Sequence, residues 1–416
     1  MALSGKRVLI TGISGFAGSY LARYLNDQNA TVYGLVRRRA DGSIPRNLIE
    51  SNISRAVQLI EGDIRDISSI ANALDKCQPD IIFHLASQSY VPRSFDNPME
   101  TIHVNGMGTA NLLEVMRQKD CPAKIIFAGS SEEYGLVISS HQQFARIKGS
   151  YGPIFPEPSR MPELPINEEN PLRPMSPYAV SKVFGDHLVS NYYRSYGTKA
   201  IISRAFNHEG AGRGIVFVTS QITMQVAKLK LREADKIVIG NVNAFRDWSH
   251  VLDICRGYCL LAEKGESGQV YNLGSQRTNS VLTYILLALD EAGMHVSRIE
   301  SFSGEKRVDD PITVEKAEQF GVEFERTRVD RLMLEGRLEY TLDDKGIVAY
   351  TNKGPVPIEF DPTRFRPADV PILLSDTTKV RKLGFKIEHT LRDIIREQLN
   401  YFLDSRHRNV PQGSLS

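Results

Sequence analysis

Short apolar runs alternate with longer amphipathic stretches through the first half of the chain, and the two kinds of stretch have different periods. Lys6–Gly12, Thr31–Val36, Val57–Ile60, Ile81–Ser87, Lys124–Ala128 and Ala200–Arg204 are brief and apolar, which predicts buried strands. Between them Tyr20–Leu25, Ile67–Leu74, Thr101–Lys119 and Tyr178–Tyr196 carry helical spacing. Later, Ile254–Glu263 and Leu391–Phe402 read as helices, and Tyr271–Gly274 ends one more strand of the same sheet. Strands alternating with helices predict an α/β fold. The expected form is a doubly wound parallel sheet of Rossmann type with a smaller, discontinuous α/β domain, and ligands at the carboxyl ends of the strands.

Length, charge and cysteines narrow the class. A chain of 416 residues is too long for one small core, so two domains or three are expected. A net charge of +2 gives no reason to expect a nucleic-acid or membrane-surface partner. No apolar run approaches the ~20 residues of a membrane span. The opening MALSGKRVLITG enters a strand at once instead of a secretory leader, so a cytoplasmic protein is expected. Four cysteines fit a reducing compartment. Cys255 and Cys259 lie four apart on a predicted helix without a matching Cys/His pair; they read as buried small hydrophobes, and no metal site is expected.

Candidate chemistry gathers at predicted strand ends. Gly12, Gly15 and Gly18, with Ile13, Phe16 and Ala17 among them, join the first strand to the first helix. Glycines so spaced permit a tight turn, let the backbone approach a pyrophosphate and pack helix on strand. The second strand ends in Arg37-Arg38-Arg39, where an acid would favour NAD. Arg37 and Arg38 suit a 2′-phosphate, so NADP is expected; the alternative is a solvated basic turn. Leu85-Ala86-Ser87 end the fourth strand with small residues that let the backbone lie close to a ligand. The fifth delivers Gly129-Ser130-Ser131-Glu132-Glu133-Tyr134-Gly135 to the same rim, as a solvated turn or with a carboxylate facing substrate. Tyr178 and Lys182 share one helix face. A phenol has a pKa of about 10 in water, and an ammonium beside it favours the phenolate and acid/base use near neutrality. Most such pairs are ordinary surface contacts, so the setting decides.

That setting carries a resemblance. The three glycines, Gly62-Asp63, His84 to Ser89, Asn105 with Gly108-Thr109, the serines before Glu132, and Tyr178 with Lys182 resemble the extended short-chain dehydrogenase/reductase family acting on nucleotide sugars. Within it the GDP-mannose 4,6-dehydratases are most similar, over roughly residues 5 to 400 with two interruptions. The resemblance implies C4 oxidation of the sugar, with Tyr178 taking the hydroxyl proton beside Lys182. Glu132 stands where 4-epimerases carry a small or neutral residue, and would take the C5 proton and help expel the C6 hydroxyl. Ser130 would polarise the C4 oxygen. Asp63, Ile64, Leu85, Ala86, Ser87, His208 and Arg213 would line the cofactor. Ser89, Asn207, Val218, Arg246, Arg366 and Asp369 would bind substrate, with the arginines on the diphosphate. Three positions depart from the pattern: Ser130 stands where threonine is usual, Gln221 where a basic residue is usual, and Asp369 where glutamate is usual.

The implied activity is dehydration of GDP-mannose or a related GDP-sugar to the 4-keto-6-deoxy sugar, in a homodimer or homotetramer. Decarboxylases of UDP-glucuronate share the glutamate and would need an arginine such as Arg93. An epimerase, a reductase or a non-catalytic relative that binds NADP and nucleotide is the competing expectation. The implied NADP-binding domain covers 1–206 plus about 245–275, and the substrate domain 207–244 plus 276–402. Insertions fall at about 137–165, a lid or interface arm, and 301–356. Alternating acids and bases from Glu305 to Arg337 predict a solvated helix or a partner surface, and residues 403–416 a disordered tail.

Overall fold

A computed structural model describes residues 3–365 and 370–408. The chain divides into two compact units. The first runs to His208 and includes Val251–Ser275 and Ser375–Glu388; the second takes Glu209–His250, Gln276–Leu374 and the chain from His389 onward. The boundaries differ from the expected ones in three places, the first being that Asn207 and His208 belong to the first unit. Residues 245–250 belong to the second unit, and Ser375–Glu388 returns to the first, because Val380 and Phe385 bury themselves in the core that holds Tyr258 and Leu273.

In the first unit β1 (Arg7–Thr11), β2 (Thr31–Val36), β3 (Gln58–Glu61), β4 (Ile81–His84), β5 (Lys124–Ala128), β6 (Ala200–Ala205) and the strand Val270–Leu273 form one sheet. Its order is Val270–Leu273, β6, β5, β4, β1, β2, β3, and the pairs are parallel. Val8, Ile10, Phe83 and Ile126 face one core, while Leu9, Ile82, Ile125 and Phe127 face the other. Burial on both faces is why these strands read as continuous apolar runs instead of alternating ones. The winding reverses between β1 and β4, where Thr11 lies beside His84. Ligands bind at such reversals in open parallel sheets.

Several expected elements change in detail. β4 stops at His84, although the Leu85 N–H still bonds the Thr11 carbonyl. The helix expected over 101–119 is broken: Pro98–Thr101 leads into a wide π-helical segment, Ile102–Met107, and then Gly108–Gln118. Asn105 sits in that wide segment. The 137–165 insertion holds the helix His141–Tyr151 and the buried Glu163, which pairs with buried Arg173.

The second unit has a five-stranded sheet in the order Arg307–Asp309, Val296–Ser301, Gly346–Thr351, Gly354–Phe360, Ile237–Ile239. Trp248, Tyr284, Ile299, Ile347, Ile358 and Leu399 share its core with residues of the helices Val218–Lys230, Val281–Glu291 and Leu391–Leu403. The expected solvated helix within Glu305–Arg337 is largely a hairpin, Val314–Gln319 with Val322–Thr327. Its charges alternate with Val322 and Phe324, both buried, and that two-residue period belongs to a strand. Only Arg328–Leu334 is helical there. The expected disordered tail is also corrected at its start: Ser405–Arg408 is helical, and buried Arg408 pairs with Glu233 at 2.8 Å. Arg366, Asp369 and residues 409–416 lie outside the described residues. No described helix is long and apolar enough to cross a membrane.

Candidate active site

The glycine-rich turn leaves β1 at Gly12, whose φ of +79° is left-handed. A Cβ on Gly12 would lie 2.7 Å from the Ala86 backbone nitrogen, and one on Gly18 would collide with the Gly12 carbonyl. The turn is therefore a bare-backbone cradle between β1, Ala86 and the helix Phe16–Asp27. Gly15 caps that helix without a side chain, leaving its first N–H groups free of any side-chain cap. Asn47 steadies the turn from the short helix Arg46–Glu50, donating to the Ser14 carbonyl at 2.9 Å.

Beneath the cradle runs a buried polar chain. Thr11 Oγ1 meets His84 Nδ1 at 2.7 Å and receives the Ala86 N–H at 3.2 Å. His84 Nε2 lies 3.0 Å from Thr109 Oγ1, which donates to the Asn105 carbonyl. Asn105 Nδ2 then donates to Ser181 Oγ at 2.9 Å and to the Gln88 carbonyl at 3.0 Å. Burial, and secondarily Lys182, push His84 down to about 3, so it stays neutral at physiological pH. The chain ties β1, β4, the wide helical segment and the helix Pro177–Tyr196 together.

That last helix begins with Ser176, whose side chain accepts the Ala179 N–H, and Pro177 at its first position. Tyr178 and Lys182 are buried on it, 8 % and 4 % exposed. Lys182 Nζ donates to the Ala128 carbonyl at 2.8 Å and lies 6.0 Å from the centre of the Tyr178 ring. Burial pushes the ammonium down to about 8, against an upward pull from Glu133. It thus remains charged at neutral pH while having few partners, and its field favours a negative charge nearby. The short helix Ser131–Glu133, which begins at the end of β5, packs on this helix and carries Ser130 and Glu132. Ser130 Oγ accepts the Glu132 N–H at 3.2 Å, leaving the hydroxyl proton available to a further acceptor. Glu132 is half-buried, and Glu133 is fully buried.

The remaining residues singled out in the sequence are distributed as follows. Arg37 and Arg38 are exposed past the end of β2, and Arg38 is 4.0 Å from Glu61. Asp63 is held by the Arg65 side chain at 2.7 Å, which keeps its carboxyl below the usual range. Ile64 packs against Gly108, where a Cβ would lie 2.8 Å from it. Leu85, Ala86 and Ser87 are partly buried beside the cradle, whereas Ser89 is exposed. His208 Nδ1 lies 3.0 Å from the Phe206 carbonyl. Asn207 Oδ1 is buried without a hydrogen-bond partner among the described residues. In the second unit, Arg213 stacks 3.5 Å from the Phe217 ring centre and 3.5 Å from Glu209. Val218 opens a helix that has no side-chain cap. Arg246 donates to the Phe245 and Val370 carbonyls. Gln221 accepts from Arg364 at 3.3 Å. Arg93 is paired with Glu100 at 2.9 Å.

A family model described as the NAD dependent epimerase/dehydratase family matches residues 8–274. The chain belongs to this family. Among its relatives, GDP-mannose 4,6-dehydratase of Sinorhizobium fredii is 31% identical over 96% of this chain and 99% of its own. A protein of the same name from Yersinia enterocolitica is 30% identical, covering 95% and 93%. Among solved structures, RMD of Pseudomonas aeruginosa complexed with NADPH aligns over 96% of this chain and 99% of its own, with a TM-score of 0.66 and 22% identity.

Within this epimerase/dehydratase framework, sequence reasoning missed the groups under the strand-end turn. Arg204 Nε donates to Asp186 at 2.9 Å and lies 3.3 Å from Glu133 Oε2; all three side chains are buried. Burial and then Asp186 push the Glu133 carboxyl well up, and Arg204 pulls it back. A signal is present in the sequence: an arginine inside the apolar strand Ala200–Ala205 demands buried acids. The adjacent acids at 132 and 133 look equivalent along the chain, whereas one is fully buried and the other is not.

Proposed function

We propose that the chain is a nucleotide-sugar 4,6-dehydratase that uses NADP and takes a GDP-hexose of the manno type. The observation that carries this reading is the placement of Glu132: a half-buried carboxylate on the strand-end turn that packs against the helix of Tyr178 and Lys182. Relatives named GDP-mannose 4,6-dehydratase, matched over almost their whole length, support the same reading.

The cradle at Gly12 and Gly18 fits a dinucleotide pyrophosphate, since any Cβ there would fill the space. NADP, when bound, supplies a hydride acceptor for C4 and a hydride donor for C6, so turnover has no net redox change. Exposed Arg37 and Arg38 support the choice of NADP, as does the NADPH in the Pseudomonas neighbour. Tyr178 Oη takes the C4 hydroxyl proton, helped by the buried Lys182 ammonium. Ser130 donates its hydroxyl proton to the C4 oxygen. Glu132 removes the C5 proton, acidified by the new ketone, and returns a proton to the departing C6 hydroxyl; C5 is reprotonated from Tyr178, whose proton exchanges with solvent, which restores the phenolate. In the first unit, Ser89 and Asn207, whose Oδ1 is buried without a hydrogen-bond partner among the described residues, bind the nucleotide sugar.

Against the decarboxylase alternative stands the pairing of Arg93 with Glu100 at 2.9 Å. Exposed Met99, Met107, Val180 and Phe184, on helices that pack together, support a homodimer through that face. A cytoplasmic location is the reading of the free cysteines. The test is a panel of GDP-, UDP-, dTDP- and CDP-sugars with mass detection: GDP-mannose should lose one water. Turnover of another sugar without water loss would overturn the dehydratase assignment.

A further inference from the structure

The geometry points to Glu133, next to the proposed acid/base, as a positioning residue that holds the catalytic turn in shape through the Ser130 backbone. This inference rests on the roles proposed for Ser130 and Glu132.

Glu133 Oε1 accepts the Ser130 N–H at 2.7 Å while Ser130 Oγ accepts the Glu132 N–H at 3.2 Å. The two bonds close a reciprocal capping box around three residues, so the carboxylate of one fixes the backbone that aims the other two. Glu133 is itself immobilised. It is 0 % exposed, its Oε2 lies 3.3 Å from Arg204 Nε, and Arg204 is anchored by Asp186 at 2.9 Å. Asp186 sits one helical turn beyond Lys182 on the helix that carries Tyr178. The backbone also makes room: a Cβ on Gly129 would lie 2.5 Å from Glu133 Oε1 and 2.9 Å from the Ser203 carbonyl. Glycine before Ser130 is thus the condition for this carboxylate to reach back under the turn.

The groups facing Glu133 are Arg204 on β6, Asp186 and Lys182 on the helix Pro177–Tyr196, and the Ser130 amide on its own turn. A carboxylate that served only to neutralise Arg204 would have no need of the Ser130 amide, because Asp186 already bonds that guanidinium directly. A leucine at 133 would fill the space but leave the Ser130 N–H unpaired, and Ser130 would be free to rotate away from the sugar. A glutamine would keep the acceptor.

The experiment compares wild type, Glu133→Gln and Glu133→Leu, with turnover, melting temperature and amide exchange at Ser130 measured on each. With GDP-mannose, Glu133→Leu should lower kcat about 100-fold with little change in KM, as expected when reacting groups move by about an ångström. Glu133→Gln keeps an acceptor for the Ser130 N–H and should lose no more than about fivefold. Exchange of the Ser130 amide should rise about tenfold or more in Glu133→Leu and stay near wild type in Glu133→Gln. Folded variants with equal kcat and equal exchange would overturn the positioning role. If Glu133→Leu does not fold, a folded Glu133→Gln that loses about 100-fold with its Ser130 amide as protected as in wild type, or that keeps kcat with that amide unprotected, overturns it too. If wild type turns over no nucleotide sugar, the functional reading fails, and the exchange comparison still decides whether Glu133 holds the turn.

Discussion

Lys182→Met separates the proposed catalytic use of the lysine from its effect on the fold. Burial takes the ammonium from its ordinary 10.5 down to about 8, a figure that already includes the help from Glu133. That drop corresponds to roughly 3 kcal/mol against folding while the lysine is charged. Methionine keeps the unbranched stem but leaves the Ala128 carbonyl without its partner, a loss of about 1 kcal/mol. The variant should therefore be more stable than wild type by about 2 kcal/mol at pH 7, while its kcat falls about 100-fold or more. The sign with pH follows from proton binding. Between about 8 and 10.5 the unfolded chain holds a proton that folded Lys182 has released, so wild type gains stability as pH rises through that window. The advantage of the variant should shrink over the same range and vanish near its upper end. Urea unfolding of nucleotide-stripped protein at several pH values measures this without ligand linkage. A variant less stable than wild type at pH 7, or an advantage unaffected by pH, would refute the idea that the ammonium is held at a cost.

Three further outcomes are expected. Glu132→Gln should slow water loss by about 100-fold or more while a transient reduction of the cofactor remains visible by absorbance; an unchanged rate of 4-keto-6-deoxy product would remove Glu132 from the mechanism. Arg37→Ala should weaken NADP about tenfold and NAD much less, read from fluorescence titrations; equal losses would end the 2′-phosphate assignment. Gly12→Ala forces a Cβ within 2.7 Å of the Ala86 nitrogen at a positive φ. It should cost about 1–3 kcal/mol of stability and abolish measurable cofactor binding, and a variant that binds NADP normally would show that the cradle is not the site.

The fold is legible in the sequence where burial imposes a strong period. Strands such as Arg7–Thr11 and Lys124–Ala128, buried on both faces, leave continuous apolar runs, and the three glycines mark a turn where backbone must meet backbone. Resemblance supplies the rest of the proposed site: Tyr178, Lys182, Ser130 and Glu132. What stays hidden depends on contacts distant in sequence. Glu133, Asp186 and Arg204 meet only once β6 lies beside β5, and no local pattern relates positions 133, 186 and 204. The Thr11–His84–Thr109–Asn105–Ser181 chain is visible as residues but not as a connection. In Val322–Thr327 the alternating charges stand out more than the buried Val322 and Phe324 between them, which is why a solvated helix is expected where a strand forms.

In the proposed reaction one molecule of sugar is oxidised at C4 and reduced at C6 around the elimination of water. GDP-mannose carrying deuterium at C4 tests it most directly. After turnover by the wild-type enzyme, the 4-keto-6-deoxy product should carry that deuterium at C6, with solvent hydrogen at C5. Deuterium left at C4, or lost to free cofactor while the C6 hydroxyl is retained, would contradict the account.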